Sequence, residues 1–463
     1  MLDHDTIKKV LKKTLSKGGD YADIFIEFRK ASSIHLEDNK VEKIITGIDA
    51  GVGIRLISKG STSFAYSNDL SKDALMGLAD ILSGQVGVTQ ESLLQCDMKV
   101  LRPMVDFPIE IFPDDVPTID KIKLVKDSER ISRSYDNRIR QVSINYRDTC
   151  QKVIIGTSDG VIVEDERVYT TFVIHVIASE EGKIQTGYES SGGLIGFELF
   201  KNNLVEELSL KASKRAVMML SARRAPGGRM PVVISSEAGG TMIHEAVGHG
   251  LEADLVGEGL SVYSDKIGSE IASPIITVVD DPTLMNKRGS YRFDDEGTPS
   301  QRTVLIERGI LKNYMYDRLT ALKAGVTSTG NGRRESYQHR PIPRMSNTYI
   351  LPGGSSPDEI IRATHRGLFV KKMGGGQVNT VTGEFVFEVQ EGYLIENGLI
   401  AEPVREATLI GNGPDILRSI DMVGSDLGFS IGTCGKDSQG VPVSDGMPTI
   451  RIPDIVVGGE VSQ

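Results

Sequence analysis

The sequence predicts an α+β fold in two domains, an N-terminal α+β domain and a β-rich C-terminal one. Three observations lead there. The chain has 463 residues, more than one ordinary core organises. Its first half runs through the order helix, strands, helix twice over. Its glycines are uneven: residues 1–225 hold 16 of the 50, and residues 226–463 hold the other 34. More glycine means more tight turns and closer backbone approaches, so the second half is built differently. The boundary falls in the turn-rich run Arg223-Arg224-Ala225-Pro226-Gly227-Gly228, giving domains 1–225 and 226–463.

The elements follow in order. Ile7, Val10, Leu11 and Leu15 recur at helical spacing, so 4–17 reads as an amphipathic helix ended by Gly18-Gly19. Ala22, Ile24, Ile26 and Phe28 then alternate as in a strand. Residues 32–38 and 40–46 flank an Asp38-Asn39 turn and read as a hairpin. Two further strands are expected at 51–57 and 61–65, and a helix over 70–82. The second round has a helix over 119–135, strands at 139–146, 151–156, 161–165, 168–178 and 183–189, and a helix over 199–220. The repeat suggests an internal duplication at the level of pattern; no residue motif is shared between the copies.

In the second half a short strand at 231–235 precedes a helix expected over 237–255. Strands at 275–279, 303–307, 347–351, 384–389 and 393–395 follow. Gly374-Gly375-Gly376 is not a phosphate loop, because it lacks the Lys-Ser/Thr ending and a following helix. With 53 basic and 63 acidic side chains the formal net charge is -10, which disfavours nucleic acid and anionic membranes as partners. No segment is apolar over 18 residues, so no membrane span is expected. Three widely spaced cysteines do not make a disulfide framework and point to a reducing cytoplasm.

Residues 244–249 read His-Glu-Ala-Val-Gly-His. Two imidazoles and a carboxylate on one helix are what a hydrolytic zinc site needs. Histidines four apart lie about 40° around a helix, whereas these lie five apart, roughly 140°. A regular helix cannot easily aim both at one metal; a widened π-turn between them can, and Gly248 and Gly250 ease it. The bland alternative is two polar histidines on different faces. A third ligand must come from elsewhere. Cys434, in Gly432-Thr433-Cys434-Gly435, is a candidate because its glycine neighbours permit close approach. A buried structural thiol is the competing reading there, and it is the expectation for Cys96 and Cys150.

The run MIHEAVGHGLEADLV around the histidines is similar to the signature of the TldD/PmbA family. So are FDDEGTPS (293–300), NGRRESYQHRPIPRMSNTYILPGG (331–354), GGGQVNTVTGEFVFEV (374–389) and GTCGKDSQGVPVSDGMPTIRI (432–452). The resemblance covers most of the second half. It implies a metalloprotease domain over 226–463, with His244, His249 and Cys434 as ligands of Zn(2+) and Glu245 as catalytic base. It also implies a PmbA/TldE-like partner subunit that lacks the zinc motif, in an oligomer (dimer). Family members carry an older label, modulator of DNA gyrase, so a non-catalytic protein-binding modulator is the alternative function.

The expected chemistry is peptide hydrolysis. A thiolate ligand weakens the Lewis acid, which favours a slow, selective peptidase. The substrate must be an unfolded or extended peptide, since a folded chain cannot present its bonds. Strand addition along 344–351 is one way to hold it, with Asn347 and Thr348 offering polar groups; the bland reading of this stretch is an internal strand with a turn after it. Tyr337 and His339 are candidates for stabilising the oxyanion. His4, His35, His175 and His365 read as structural or exposed. Asp294, Asp295 and Glu296 read as a solvated acidic turn, with a second cation site as the sharper alternative.

Overall fold

The computed structural model describes residues 3–86 and 98–460, so Cys96 lies outside the described residues. The first half is one sheet backed by four helices. Helix α1 (His4–Thr14) starts on Asp3, whose carboxylate accepts from the Thr6 backbone N–H. Strands β1 (Tyr21–Glu37), β2 (Lys40–Ser58) and β3 (Ser61–Ser67) follow, then α2 (Lys72–Ser83). After the short β4 (Lys99–Val100), the second round supplies α3 (Thr118–Tyr135), β5 (Ile139–Thr157), β6 (Val161–Glu180), β7 (Lys183–Leu194) and α4 (Leu204–Ser221). Strands β1 and β5 pair antiparallel at the centre. The order outward is β3-β2-β1 on one side and β5-β6-β7 on the other, with β4 also pairing β6. Each α-β-β-β-α round therefore forms half of one sheet, the arrangement a duplication produces.

Several strands expected as separate pieces are continuous. The 32–38 stretch belongs to the same strand as 22–28, and 40–46 joins 51–57. The second round's first four pieces likewise merge into β5 and β6. Apolar alternation lapses in the middle of each, yet the pairing register runs on. The reason lies in the helix layer. The α1/α2 pair packs on Ile24, Ile26, Ile54 and Leu56, and α3/α4 on Ile34, Ile144, Ile174 and Val176. Between these two cores the sheet is less covered, and half-buried residues such as Lys30 and Ser32 are tolerated.

Successive side chains point to opposite faces of a strand. The even-numbered residues of β1 face the helices; the odd-numbered face meets the second half. There Phe25, Val153, Ile155 and Val163 pack with Phe293 and Tyr337. The charges on that face are paired across the junction. Arg55 bridges Asp23 and Glu296, Arg334 reaches Asp23, and Arg167 reaches Asp295. The acidic trio is thus neither a solvated turn nor a separate cation site. Asp294, Asp295 and Glu296 are buried, and they are satisfied by arginines and backbone N–H groups.

In the second half, Arg366–Val378 pairs with both Gly228–Ile234 and Glu384–Glu396. Ile450–Gly458 and Ala407–Asn412 complete the circuit, so five strands close on themselves. The run expected as a linker is partly strand: Arg223–Arg224 pairs with Val404 and Arg405. A second sheet has six strands, with Asn347–Ile350 between Val278–Asp280 and Gln439–Met447, and with Gly428–Lys436 at one edge. Of the two readings of 344–351 the internal strand holds and the open edge is corrected: this strand is hydrogen-bonded on both sides. No described helix is long and apolar enough to cross a membrane.

The helix expected over 237–255 is also corrected, because it is broken into short pieces. Ser236–Ala238 is a single tight turn ended by Gly239 at φ +81, a left-handed conformation that glycine adopts freely. Thr241–Ile243 is one α-turn, His244–Gly248 a π-turn, His249–Leu251 a 3-10 turn and Ala253–Gly257 a last α-turn. The widened turn expected between the histidines is present.

Candidate metal centre

The π-turn lies beside the edge strand Gly428–Lys436, and their meeting brings three donors together. One ligand atom each from His244, His249 and Cys434 lies within 4.8 Å of the others. The two rings stand perpendicular, with centroids 4.9 Å apart. Cys434 Sγ is 3.5 Å from His249 Nε2. Gly248, inside the turn, has no room for a side chain: a Cβ there lies 1.9 Å from the sulfur of buried Met345.

Each histidine is oriented through its far nitrogen. His244 Nδ1 is 2.7 Å from Asp445, and His249 Nδ1 is 3.0 Å from Glu252. Both Nε2 atoms are thereby left for the shared centre, the orientation that carboxylates give metal-ligating histidines. Glu252 is fully buried and 3.1 Å from Lys436 Nζ. Arg344, also fully buried, donates to the Cys434 carbonyl and fixes the strand that carries the thiol.

Electrostatics point the same way. Burial opposes charge on His244, but the Asp445 carboxylate and the Cys434 thiol outweigh it and hold the ring well above the ordinary histidine range. Burial likewise opposes charge on His249, which Glu252 and Cys434 push up to about 10. The Cys434 thiol is raised by burial and pulled down to about 6 by hydrogen bonds from the two imidazoles. The cluster is built to hold positive charge beside a thiolate, and a soft divalent cation meets that demand as well as protons do. A His2Cys donor set with a half-enclosed cleft in front of it fits a zinc site with an open position.

Glu245 follows His244 in the π-turn and lines the same cleft, whose volume is about 420 Å³. Its carboxylate has no hydrogen bond or ion pair among the described residues. The other expected site residues lie elsewhere. Tyr337 is buried against Gly51 and donates its backbone N–H to Glu27, as a plug between the two halves. His339 is half-buried and holds Ser336 at 3.1 Å. Asn347 and Thr348 are fully buried. Asn347 binds Ser290 and the Asp281 carbonyl, and Thr348 donates to Asp280. Substrate contact by Asn347 and Thr348 is corrected on that ground. Cys150 is half-buried on β5 rather than a core residue, and burial pushes its thiol up to about 11.

Sequence reasoning gave no role to Asp445, Glu252, Arg344 and Lys436, although all four lie inside the runs that resemble the family. It also read His175 as a plain strand residue. His175 and Tyr188, opposite each other on β6 and β7, form the far wall of the cleft. Strand parity on β6 was the available signal, since His175 shares a face with Asp165 and Arg167.

Family models of PmbA/TldA metallopeptidases match in three pieces: domain 1 at residues 22–83, the central domain at 112–220 and the C-terminal domain at 227–459. A protein of Haemophilus influenzae named Metalloprotease TldD homolog is 40% identical over 95% of this chain and 93% of its own length. A metalloprotease of Methanothermobacter thermautotrophicus is 37% identical over 95% of this chain and 96% of its own. The crystal structure of TldE from Thermococcus kodakarensis has the same fold, with a TM-score of 0.80 at 17% identity, over 98% of this chain and 99% of that one. With matches running nearly end to end, this chain is a member of the PmbA/TldD family of metalloproteases.

Proposed function

We propose that this chain is a zinc peptidase acting on extended peptides, with His244, His249 and Cys434 as the metal ligands and Glu245 as the base. The observation that carries the reading is the pairing of both Nδ1 atoms with carboxylates, which leaves two Nε2 atoms and one thiol facing a common point. Zinc, when bound, supplies a Lewis acid at the mouth of the cleft. The Glu245 carboxylate takes a proton from the attacking water and passes it to the leaving nitrogen. Asp445 and Glu252 hold the two rings in place while this happens. The edge strand Gly428–Lys436 supports an extended substrate by strand addition, because one of its sides is unpaired among the described strands and Cys434 sits on it. Residues 1–225 act as the domain that walls the cleft and 226–463 as the domain that holds the metal. The protein works in the cytoplasm in a dimer with a PmbA/TldE-like subunit.

The test is cleavage of unstructured peptides by wild type and Glu245→Gln, each with the partner subunit. The variant is expected to keep its zinc and lose at least about 100-fold in rate. Equal rates refute the role of Glu245. No cleavage by either protein favours the non-catalytic modulator.

A further inference from the structure

The site cleft does not end at His175. Past Tyr188 and Ile431–Thr433, which line both, it continues into a second cavity of about 600 Å³. This extension lies between the first half's sheet and the edge strand. Its charged lining is entirely basic: Lys43, Arg147 and Arg288, with His35 at the rim and no Asp or Glu. None of the three cations has an ion pair among the described residues.

That is unusual in a chain with 63 acidic side chains. The buried arginines at 55, 167, 215 and 334 each face a carboxylate. Arg288 is half-buried and spends one Nη on the Gly432 carbonyl and Thr433 Oγ1, and its Nε has no partner. Burial, reinforced by the nearby Arg147 charge, holds its guanidinium below the ordinary arginine range. Guanidinium groups bind carboxylates by charge-assisted hydrogen bonds, and desolvation strengthens them.

We infer that Arg288, Arg147 and Lys43 form a subsite for a carboxylate of the peptide substrate. The inference rests on the peptidase reading for the direction of the substrate. Arg288 contacts Gly432, two residues along the strand from Cys434, or about 7 Å at the usual strand rise. The carboxylate recognised therefore lies within about two or three residues of the bond cut. It belongs either to an acidic side chain or to the peptide's own C-terminus.

The experiment uses the full-length Glu245→Gln chain and fluorescein-labelled unstructured octapeptides. Four arms carry Glu or Gln at one scanned position, each with a free or an amidated C-terminus. We expect a peptide with the matching carboxylate to bind about tenfold tighter than its neutral twin at low salt, with the preference shrinking in high salt. A preference that survives amidation assigns the side chain; one that disappears with it assigns the terminus. Arg147→Gln and Lys43→Gln, both at exposed positions, are expected to reduce the preference to about threefold or less without changing the melting temperature. Arg288→Lys keeps the charge and is expected to retain part of it. Equal affinity across all four arms, a preference that outlasts the substitutions, or no binding at all overturns the subsite. If the preference is found but wild type cleaves none of these peptides, the subsite stands and the peptidase reading falls. Cleavage without any charge preference gives the reverse.

Discussion

Replacing Arg55 by Gln tests whether buried charges lock the two halves of the chain together. Arg55 is 1% exposed; its Nε donates to Asp23 at 2.7 Å and its Nη2 lies 2.7 Å from Glu296. Both carboxylates are buried, one on β1 and the other in the second half. Asp23 retains Arg334, 3.4 Å away, after the substitution. Glu296 keeps the Arg318 backbone N–H but no guanidinium in direct contact. Removing one partner of a buried pair and stranding the other costs about 3–5 kcal/mol. That is a large fraction of a typical net stability of about 5–15 kcal/mol. Urea unfolding at pH 7.5, followed by tyrosine fluorescence and circular dichroism, measures it. The double variant Arg55→Met, Glu296→Leu removes both charges and is expected to recover at least about half of the loss, since an apolar pair can replace a buried ion pair at little cost. A single-variant cost below about 1 kcal/mol, or a double variant no better than the single, contradicts a charge lock between the two halves.

Two further outcomes follow from the site and its surroundings. Glu252→Gln removes the carboxylate behind His249 and is expected to weaken zinc affinity about 10–100-fold in competition with a chelator; unchanged affinity contradicts its positioning role. Asp317 caps the helix Arg318–Ala324 and accepts from Thr320. Burial, with repulsion from Glu296, pushes its carboxyl up to about 7. Because the folded value is raised, its protonated form stabilises the fold fully below about pH 4, and that contribution is lost as pH rises through 7. Asp317→Asn keeps the cap and cannot ionise, so its stability relative to wild type is expected to grow by roughly 2 kcal/mol between pH 5 and pH 8. A gap that stays constant over that range contradicts the assignment.

The sequence showed elements whose signal is local. Helices α1 and α3 announce themselves through apolar spacing, and the Asp38-Asn39 turn through residues that tolerate positive φ. The two histidines, read against helix geometry, even required the widened turn. What could not be read locally depends on who sits opposite. Strand β5 loses its apolar alternation where no helix covers it, so it looked like two strands. The Asp294–Glu296 run looked solvated because its arginines come from residues 55, 167 and 334. Whether Asn347 and Thr348 sat on an open edge or an internal strand could not be settled locally, because the strands on either side of them lie about 70 and 100 residues away in the chain. Asp445 and Glu252 lie inside runs shared with the family, and Glu252 is only three residues past His249, but their roles show only once the rings they orient are in place.

Whether the chain binds one zinc at one place is measured by anomalous scattering at the zinc edge from crystals of the full chain. One peak per chain is expected among Nε2 of His244, Nε2 of His249 and Sγ of Cys434, with a fourth position open to solvent, and loss of that peak in Cys434→Ala. A peak elsewhere, no peak in zinc-loaded protein, or a fourth protein ligand closing the site contradicts it.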